Sequence, residues 1–241
     1  MFYQFTLSRK NDRFLLILAL LFFLSGCHSD KKRNISSNNI EILYYSDSLI
    51  RSITQKAPGN IEVEIKFKKN AFLKSIVHYV DTIPIGYYSL YETGHLYHQR
   101  QYIYLNGKTY INQYWNIDEM GNIEKNRSNF FTIYTSKDTA TVNTPWNMDI
   151  FLECPYFGGD MEVEFGNFDE NFNVIDSTSI VKLKGVNHHV KKTFVFNSAG
   201  KKIIRAIIYD YDQLISDTTK LLKVRKLYLT KMVTVIDNKD Q

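Results

Sequence analysis

Apolar and polar residues alternate along much of the chain, which is the pattern of β-strands with two different faces. The clearest stretch is 61–68, which places four charged side chains on one face and, on the other, Ile61, Val63, Ile65 and Phe67. We expect a half-buried strand here, with the charged face in solvent. Few segments after residue 40 show the period of an amphipathic helix. The pattern therefore predicts an all-β protein.

The region between residues 84 and 131 contains tyrosine-rich runs separated by glycine turns. Predicted strands cover 85–91, 95–105 and 108–117, and the turns end at Gly94, Gly107 and Gly121, at intervals of 13 and 14 residues. Asn106-Gly107 is the strongest hairpin signal, because a type I′ turn needs positive φ at both central residues. We predict an antiparallel β-meander over residues 40–140.

This meander resembles MORN-type repeats, in which an aromatic residue and a glycine recur on short stacked hairpins. The likeness rests on Gly86, Tyr88, Tyr91 and Gly94, then on Tyr104 and Gly107, then on Trp115 and Gly121. The spacing is shorter than the usual period of that family, and Asp118 stands where the earlier units have tyrosine. The resemblance implies a scaffold or interaction surface without chemistry of its own.

A polar, threonine-rich stretch at 136–145 predicts a domain boundary. Beyond it, short strands and turns alternate at the spacing of a β-sandwich. The predicted strands are 148–154, 161–165, 179–183, 190–196, 202–209, 220–224 and 227–236. We therefore predict an immunoglobulin-like β-sandwich over residues 146–236, without the Cys…Trp…Cys signature of antibody domains.

The N-terminus has the layout of a secretory signal peptide. Three basic residues, Arg9, Lys10 and Arg13, precede an apolar run of eleven residues at 14–24. Such a run is too short for a transmembrane helix, which needs about 20 apolar residues. We therefore expect residues 1–26 to be removed.

The run ends in Leu24-Ser25-Gly26-Cys27, which resembles the lipobox of bacterial lipoproteins. The resemblance implies that the Cys27 thiol receives a diacylglyceryl group, that the chain is cut before Cys27, and that the new amine is acylated. Residues 28–39 are polar and predict a flexible tether between lipid and fold. His28 is not the Asp that marks inner-membrane retention, so we expect an outer-membrane protein of a Gram-negative envelope, on either face of that membrane.

Charge and cysteine content further limit the class of protein and its partners. Removal of residues 1–26 takes away three basic residues and one acid, so the formal charge falls from +5 to +3. This mild balance does not predict a nucleic-acid partner. Lipidation of Cys27 leaves Cys154 without an intrachain partner, and we interpret it as a buried, inert thiol.

The sequence shows no pattern that predicts catalysis, a cofactor or a metal. His95 and His98 have the wrong parity to share a strand face, and His188 and His189 are adjacent. Asp210 and Asp212 could supply oxygen ligands to calcium, but solvated turn carboxylates are the simpler interpretation. We predict a non-enzymatic protein without a cofactor.

The aromatic residues of the meander are the candidate binding groups. Tyr91, Tyr104 and Trp115 are the predicted ligand-contacting side chains, because Tyr and Trp on an exposed sheet bind sugars and proteins well. The alternative is that they form a repeat-stacking core. The leading hypothesis is a lipid-anchored binding or scaffold module for an envelope protein. A glycan-binding accessory lipoprotein is the second hypothesis, and a hydrolase with an unrecognised site is the third.

Overall fold

The computed structural model describes residues 35–37, 39–45, 49–212 and 224–237. The predicted signal peptide, the lipid-attachment residue Cys27 and residues 28–34 of the predicted tether lie outside these residues. The expected tether is wrong at Ile35–Ser37, which form a strand by pairing with the next segment of the chain. The described chain is built from β-strands and one short 3-10 helix, Lys125–Arg127, so the all-β prediction is confirmed. Within the same ranges, no helix has the length and apolarity needed to cross a bilayer.

The first half of the chain forms an antiparallel sheet of eight strands that lie side by side in chain order. The predicted meander is therefore confirmed. Its strands are β1 (Ile35–Ser37), β2 (Ile40–Tyr44), β3 (Ile50–Ala57), β4 (Ile61–Phe67), β5 (Leu73–Val80), β6 (Ile83–Glu92), β7 (His95–Leu105) and β8 (Lys108–Asn116).

Tight turns set the register of the meander. Asn106 and Gly107 connect β7 and β8 with φ values of 49° and 81°, as the predicted type I′ turn requires. Thr93 and Gly94 connect β6 and β7 in the same way, with φ values of 49° and 88°. The turn glycines thus stand where the backbone adopts the left-handed conformation.

The second half forms two packed sheets. Its strands are β9 (Phe131–Thr135), β10 (Thr139–Thr141), β11 (Trp146–Leu152), β12 (Gly158–Phe168), β13 (Val174–Lys184), β14 (His189–Phe194), β15 (Gly200–Asp212) and β16 (Val224–Ile236). One sheet has the order β10-β16-β15-β12-β13 and the other the order β14-β11-β9. β10 pairs in parallel with the last strand β16, whereas the other pairings of the two sheets are antiparallel. This is the arrangement of an immunoglobulin-like sandwich.

The hydrophobic core lies between these two sheets. It includes Met148 and Ile150 from β11, and Val163 and Ile208 from the facing sheet, all fully buried. Trp146 closes one end of this core, where its indole Nε1 donates a hydrogen bond to the Lys137 carbonyl oxygen at 2.9 Å. The alternating burial of β11 shows one face in the core and the other less buried.

The meander sheet is packed differently from the sandwich. All seven residues of β4 have intermediate exposure, the charged ones as well as the apolar ones. The predicted strand over 61–68 is therefore correct, but its expected one-sided burial is wrong. The reason is that only neighbouring strands and their long side chains shield β4, and no second layer from the described residues covers either face.

The two halves meet where the chain leaves β8. β9 and the first two residues of β10 lie within the range 40–140 that was predicted for the meander, yet these strands pair with β11 and β16 of the sandwich. The segment between β8 and β9 contains the 3-10 helix Lys125–Arg127. In the second half, β16 covers the predicted strand 227–236 and begins three residues earlier, at Val224. The rest of the predicted strand 220–224 lies outside the described residues.

Candidate binding surface on the meander sheet

The two faces of the meander have different compositions. On one face, a cross-strand row runs through Ile42, Ile53, Ile65, Ile76, Ser89, Gln99 and Trp115. We call this the tryptophan face. The row beside it on the opposite face runs through Leu43, Ser52, Lys66, Ser75, Leu90, His98 and Asn116. This opposite side also carries Tyr88, Tyr102 and Tyr114, and we call it the tyrosine face.

The structure does not bring the three predicted ligand-contacting residues onto one face. Tyr104 and Gln99 are five residues apart on β7, and Trp115 is directly opposite Gln99. Because side chains alternate along a strand, Tyr104 belongs to the tyrosine face and Trp115 to the tryptophan face. Tyr91 lies beside a register shift at Leu90. All three side chains are partly exposed.

A β-bulge at Asn112 interrupts the alternation of side chains along β8. Tyr110 pairs with Ile103 and Tyr114 pairs with Arg100, so the two tyrosines point to opposite faces although they are four residues apart. The extra residue in β8 reverses the alternation at this point. In a strand without a bulge, the same spacing would place both tyrosines on one face.

On the tyrosine face, the rings of Tyr88 and Tyr102 lie 6.2 Å apart in a tilted arrangement. Arg100 lies directly across from Tyr88 on one side and Tyr114 on the other. The face therefore combines aromatic rings with hydrogen-bond donors, the two kinds of group that line many ligand sites.

Hydrogen bonds fix the polar part of this face. Arg100 Nε donates to His98 Nε2 at 2.7 Å, and His98 Nδ1 lies 2.8 Å from Asn116 Oδ1. Because arginine only donates, His98 Nε2 must be the unprotonated acceptor. The ring proton is therefore on Nδ1, which donates a hydrogen bond to Asn116 Oδ1. Burial lowers the pKa of His98, the hydrogen bond to Asn116 raises it, and the Arg100 charge lowers it further. His98 is thus a neutral, positioned imidazole.

The tryptophan face ends in an aromatic group at the junction with the sandwich. The ring of Trp115 lies 5.9 Å from that of Tyr87 and 5.8 Å from that of Phe130. Phe130 is buried, whereas Tyr87 keeps 41% of its surface exposed. One side of this group therefore belongs to the core, and the other is accessible.

Buried amide side chains join the meander to the sandwich. Gln113 Oε1 accepts a hydrogen bond from the Phe131 backbone N–H at 2.9 Å. Asn129 Nδ2 donates to the Cys154 carbonyl oxygen at 2.7 Å, and its backbone pairs with Tyr114 of β8. No sequence signal marked these amides, because a junction amide looks like any polar residue of a strand.

A buried charged cluster lies beside this junction. Asp210 is fully buried on β15, directly opposite Arg225 on β16. The Arg225 guanidinium lies over the rings of Tyr114 and Tyr156, at 5.6 and 5.8 Å from their centroids. The expected solvated turn at Asp210 is therefore wrong, since Asp210 is a buried residue of β15 that pairs with β16.

The groups around Asp210 have opposing effects on its pKa. Burial raises the pKa of Asp210, whereas the backbone N–H groups of Tyr156 and Phe157 and the charge of Arg225 lower it. The Tyr156 N–H donates to Oδ2 at 2.6 Å, while Oδ1 has no hydrogen-bond partner. Within the described ranges, no three His, Cys, Asp or Glu side chains come together as metal ligands.

Cys154 lies near the same junction and is buried, as predicted. Burial raises the pKa of its thiol, and the nearby Lys125 charge lowers it less. A buried thiol held in its protonated form is a poor nucleophile. Cys154 is therefore a packing residue.

Two acids also line a shallow groove of about 330 Å³ at the tip of the sheet formed by the β3–β4 and β5–β6 turns. Glu62 is ion-paired with Lys56 at 3.6 Å. Asp81 accepts a hydrogen bond from Asn60 Nδ2 at 2.6 Å. Each carboxylate thus already has a partner within the turn region.

No protein-family model matches the chain, and no curated protein matches it. Among solved structures, the crystal structure of TarM is similar with a TM-score of 0.30 and 17% sequence identity, over 48% of this chain and 21% of that one. The chain thus spans about a fifth of the length of TarM.

Proposed function

We propose that this chain is a lipid-anchored protein of the cell envelope, acylated at Cys27, whose β domains act as a non-catalytic binding or scaffold module. The anchor is supported by the order of basic residues, apolar run and Leu24-Ser25-Gly26-Cys27. A lipid-modified Cys27 followed by His28 favours the outer membrane. The partner is an envelope protein, and the module needs no cofactor.

One structural observation carries the binding role. The isoleucines of the tryptophan-face row, Ile42, Ile53, Ile65 and Ile76, lie side by side across four strands, and each is only partly buried. A contiguous apolar surface of this kind on a single sheet layer is typical of an interaction site. The many half-exposed residues of the meander sheet also favour a scaffold role over a catalytic one.

A substitution within this row tests the binding role. Ile65→Lys places a charge in the middle of the apolar surface, and we expect it to abolish co-purification of the partner after chemical cross-linking in envelopes. Thr54→Lys is the matched control, because Thr54 lies on the neighbouring strand but on the opposite face. Equal cross-linked yields for both variants would exclude the tryptophan face as the interface.

The anchor is tested separately, at Cys27. Cys27→Ser removes the thiol that would accept the diacylglyceryl group, so we expect loss of labelled fatty acid and accumulation of uncleaved precursor. Cys154→Ala is the control, since it removes the other cysteine and should leave labelling unchanged. A wild-type chain that takes up no label in a Gram-negative host contradicts the anchor.

A glycan ligand is the second candidate, and the tyrosine face favours it. The paired rings of Tyr88 and Tyr102 lie beside Arg100, so stacking and hydrogen-bonding groups are adjacent. We expect Tyr102→Ala to abolish retardation in polysaccharide affinity gels, while Tyr134→Ala, an exposed tyrosine of β9, leaves it unchanged. Absence of retardation of the wild-type protein on every polysaccharide removes this candidate.

A further inference from the structure

One tip of the meander sheet concentrates positive charge. It is formed where β2 and β3, and β4 and β5, are connected, and it carries Arg51, Lys66, Lys68, Lys69 and Lys74. We call these five residues the basic tip. Arg51, Lys66 and Lys74 line a shallow hollow of about 180 Å³ together with Tyr45 and Phe67.

Few acids neutralise the basic tip. Lys66 is ion-paired with Glu64 at 2.9 Å, and among the described residues no carboxylate is ion-paired with any of the other four. The connection at 46–48, outside the described residues, contributes one acid in sequence, Asp47, and the next turn is preceded by Glu92. The tip therefore keeps a net positive charge.

An exposed aromatic side chain lies within the same tip. Phe72 belongs to the turn between β4 and β5, which is closed by the Lys68 N–H donating to the Phe72 carbonyl oxygen at 2.8 Å. Its side chain is 46% exposed. Basic residues around an exposed aromatic ring are the composition of surfaces that bind at the membrane interface.

The path of the chain places this tip beside the proposed anchor. β1 is antiparallel to β2, with Ile35 opposite Ile42 and Ser37 opposite Ile40. Ile35 therefore lies on the side where β2 ends at Tyr44, which is the side of the basic tip. Seven residues, 28–34, separate Cys27 from Ile35, and the eight residue steps between the two reach at most about 29 Å when fully extended.

The opposite tip has no such charge excess. There, Lys56 is paired with Glu62, and Asp81 is held by Asn60. Over β2 to β5, charge is thus polarised along the strands, with the positive end on the side where β1 begins.

We propose that the basic tip docks onto the anionic headgroups of the membrane that holds the lipid, so that the sheet has a fixed end at the bilayer. This inference rests on the proposed lipid anchor. Charges near an anionic surface act within about 8 Å at physiological ionic strength. The short connection from Cys27 allows the tip to come within this distance of the membrane surface.

The test uses the full mature protein in vesicles of phosphatidylcholine, with or without phosphatidylglycerol. Phe72→Trp reports insertion through fluorescence quenching by brominated lipids, with the unsubstituted protein as background for Trp115 and Trp146. We expect quenching in the anionic vesicles, and loss of it at high salt or when Arg51, Lys68, Lys69 and Lys74 are changed to Gln. The matched control, Lys56→Gln with Lys108→Gln at the opposite tip, should retain quenching.

Mass spectrometry of Cys27 separates this inference from the proposed anchor. A lipidated protein that shows no quenching, or equal quenching in neutral and anionic vesicles, overturns tip docking while the anchor stands. An unmodified Cys27 overturns the anchor. In that case the same protein is sedimented with both vesicle types: sedimentation that depends on phosphatidylglycerol and on the four basic residues supports the tip, and its absence overturns it.

Discussion

The Asn112 side chain pairs with the Tyr228 backbone as if it were another strand. Asn112 Nδ2 donates to the Tyr228 carbonyl oxygen at 2.8 Å, and the Tyr228 N–H donates to Asn112 Oδ1 at 2.7 Å. The same Nδ2 also donates to Gln101 Oε1 at 2.8 Å. Because Asn112 is the bulged residue of β8, its amide continues the hydrogen bonding from the meander into β16 of the sandwich.

Asn112→Ala should destabilise the junction between the two halves. The substitution leaves both the N–H and the carbonyl of Tyr228 without this partner, and we expect a loss of about 2–3 kcal/mol in the free energy of unfolding. Urea denaturation measures it. Asn126→Ala, an exposed asparagine of the 3-10 helix, is the control and should change little; equal losses for both variants would contradict the role of Asn112.

His98 should make the protein less stable in mild acid. Its pKa is lowered in the fold from the ordinary value of 6.5, so the unfolded chain binds the proton at a higher pH than the folded chain does. The contribution of neutral His98 is complete above pH 6.5 and is lost as the pH falls below 6.5 and through the lower pKa of the folded state. Denaturation at pH values from about 7.5 to about 5 should show this slope in the wild type.

His98→Gln should reduce this pH slope, because it removes the titrating group. His95→Gln is the matched control, since His95 is exposed at the start of the same strand. The interpretation fails if the two variants have the same slope as each other.

Asp210 should give the opposite pH dependence. Burial raises its pKa above the ordinary 3.8, so the unfolded chain loses the proton first as the pH rises. Stability relative to Asp210→Asn should therefore fall as the pH rises above about 3.8. Parallel denaturation curves for the two proteins over pH 4 to about 7 would show that Asp210 has no raised pKa. Asp138→Asn, at an exposed site, controls for the loss of one carboxylate.

Alternation and turn residues predicted most of the meander. Asn106-Gly107 and Thr93-Gly94 are local signals, because a left-handed turn restricts which residues fit. They fixed the bounds of β7 correctly. The sandwich was predictable for a similar reason, since its strands are short apolar runs between turn residues.

The candidate surface was less predictable, because it depends on register between strands. A single extra residue at Asn112 places Tyr110 and Tyr114 on opposite faces of the sheet. No feature of the local sequence predicts this bulge. The partners of Gln113 and Asn129 are likewise distant in the chain. Side-chain pattern shows which residues alternate, but not whether a second layer covers them, so the open faces of β4 were not predicted.

Thr82 offers a last test, in which backbone strain is isolated from packing. Asp81 and Thr82 connect β5 and β6 with φ values of 49° and 69°. A β-branched residue is unfavourable in this left-handed region, at a cost of about 1–2 kcal/mol for L-residues. Glycine removes that strain, but it loses more conformational entropy on folding, and this loss cancels about 0.5–1 kcal/mol of the gain in stability. We therefore expect Thr82→Gly to raise the free energy of unfolding by up to about 1 kcal/mol.

Gly107 occupies the equivalent second position of the β7–β8 turn at φ 81°, and no atom lies within 4 Å of where its Cβ would be. Gly107→Thr should therefore lower stability by a similar amount through the backbone alone. Urea denaturation of both variants compares them, and a loss of stability in Thr82→Gly would show that this turn is not strained.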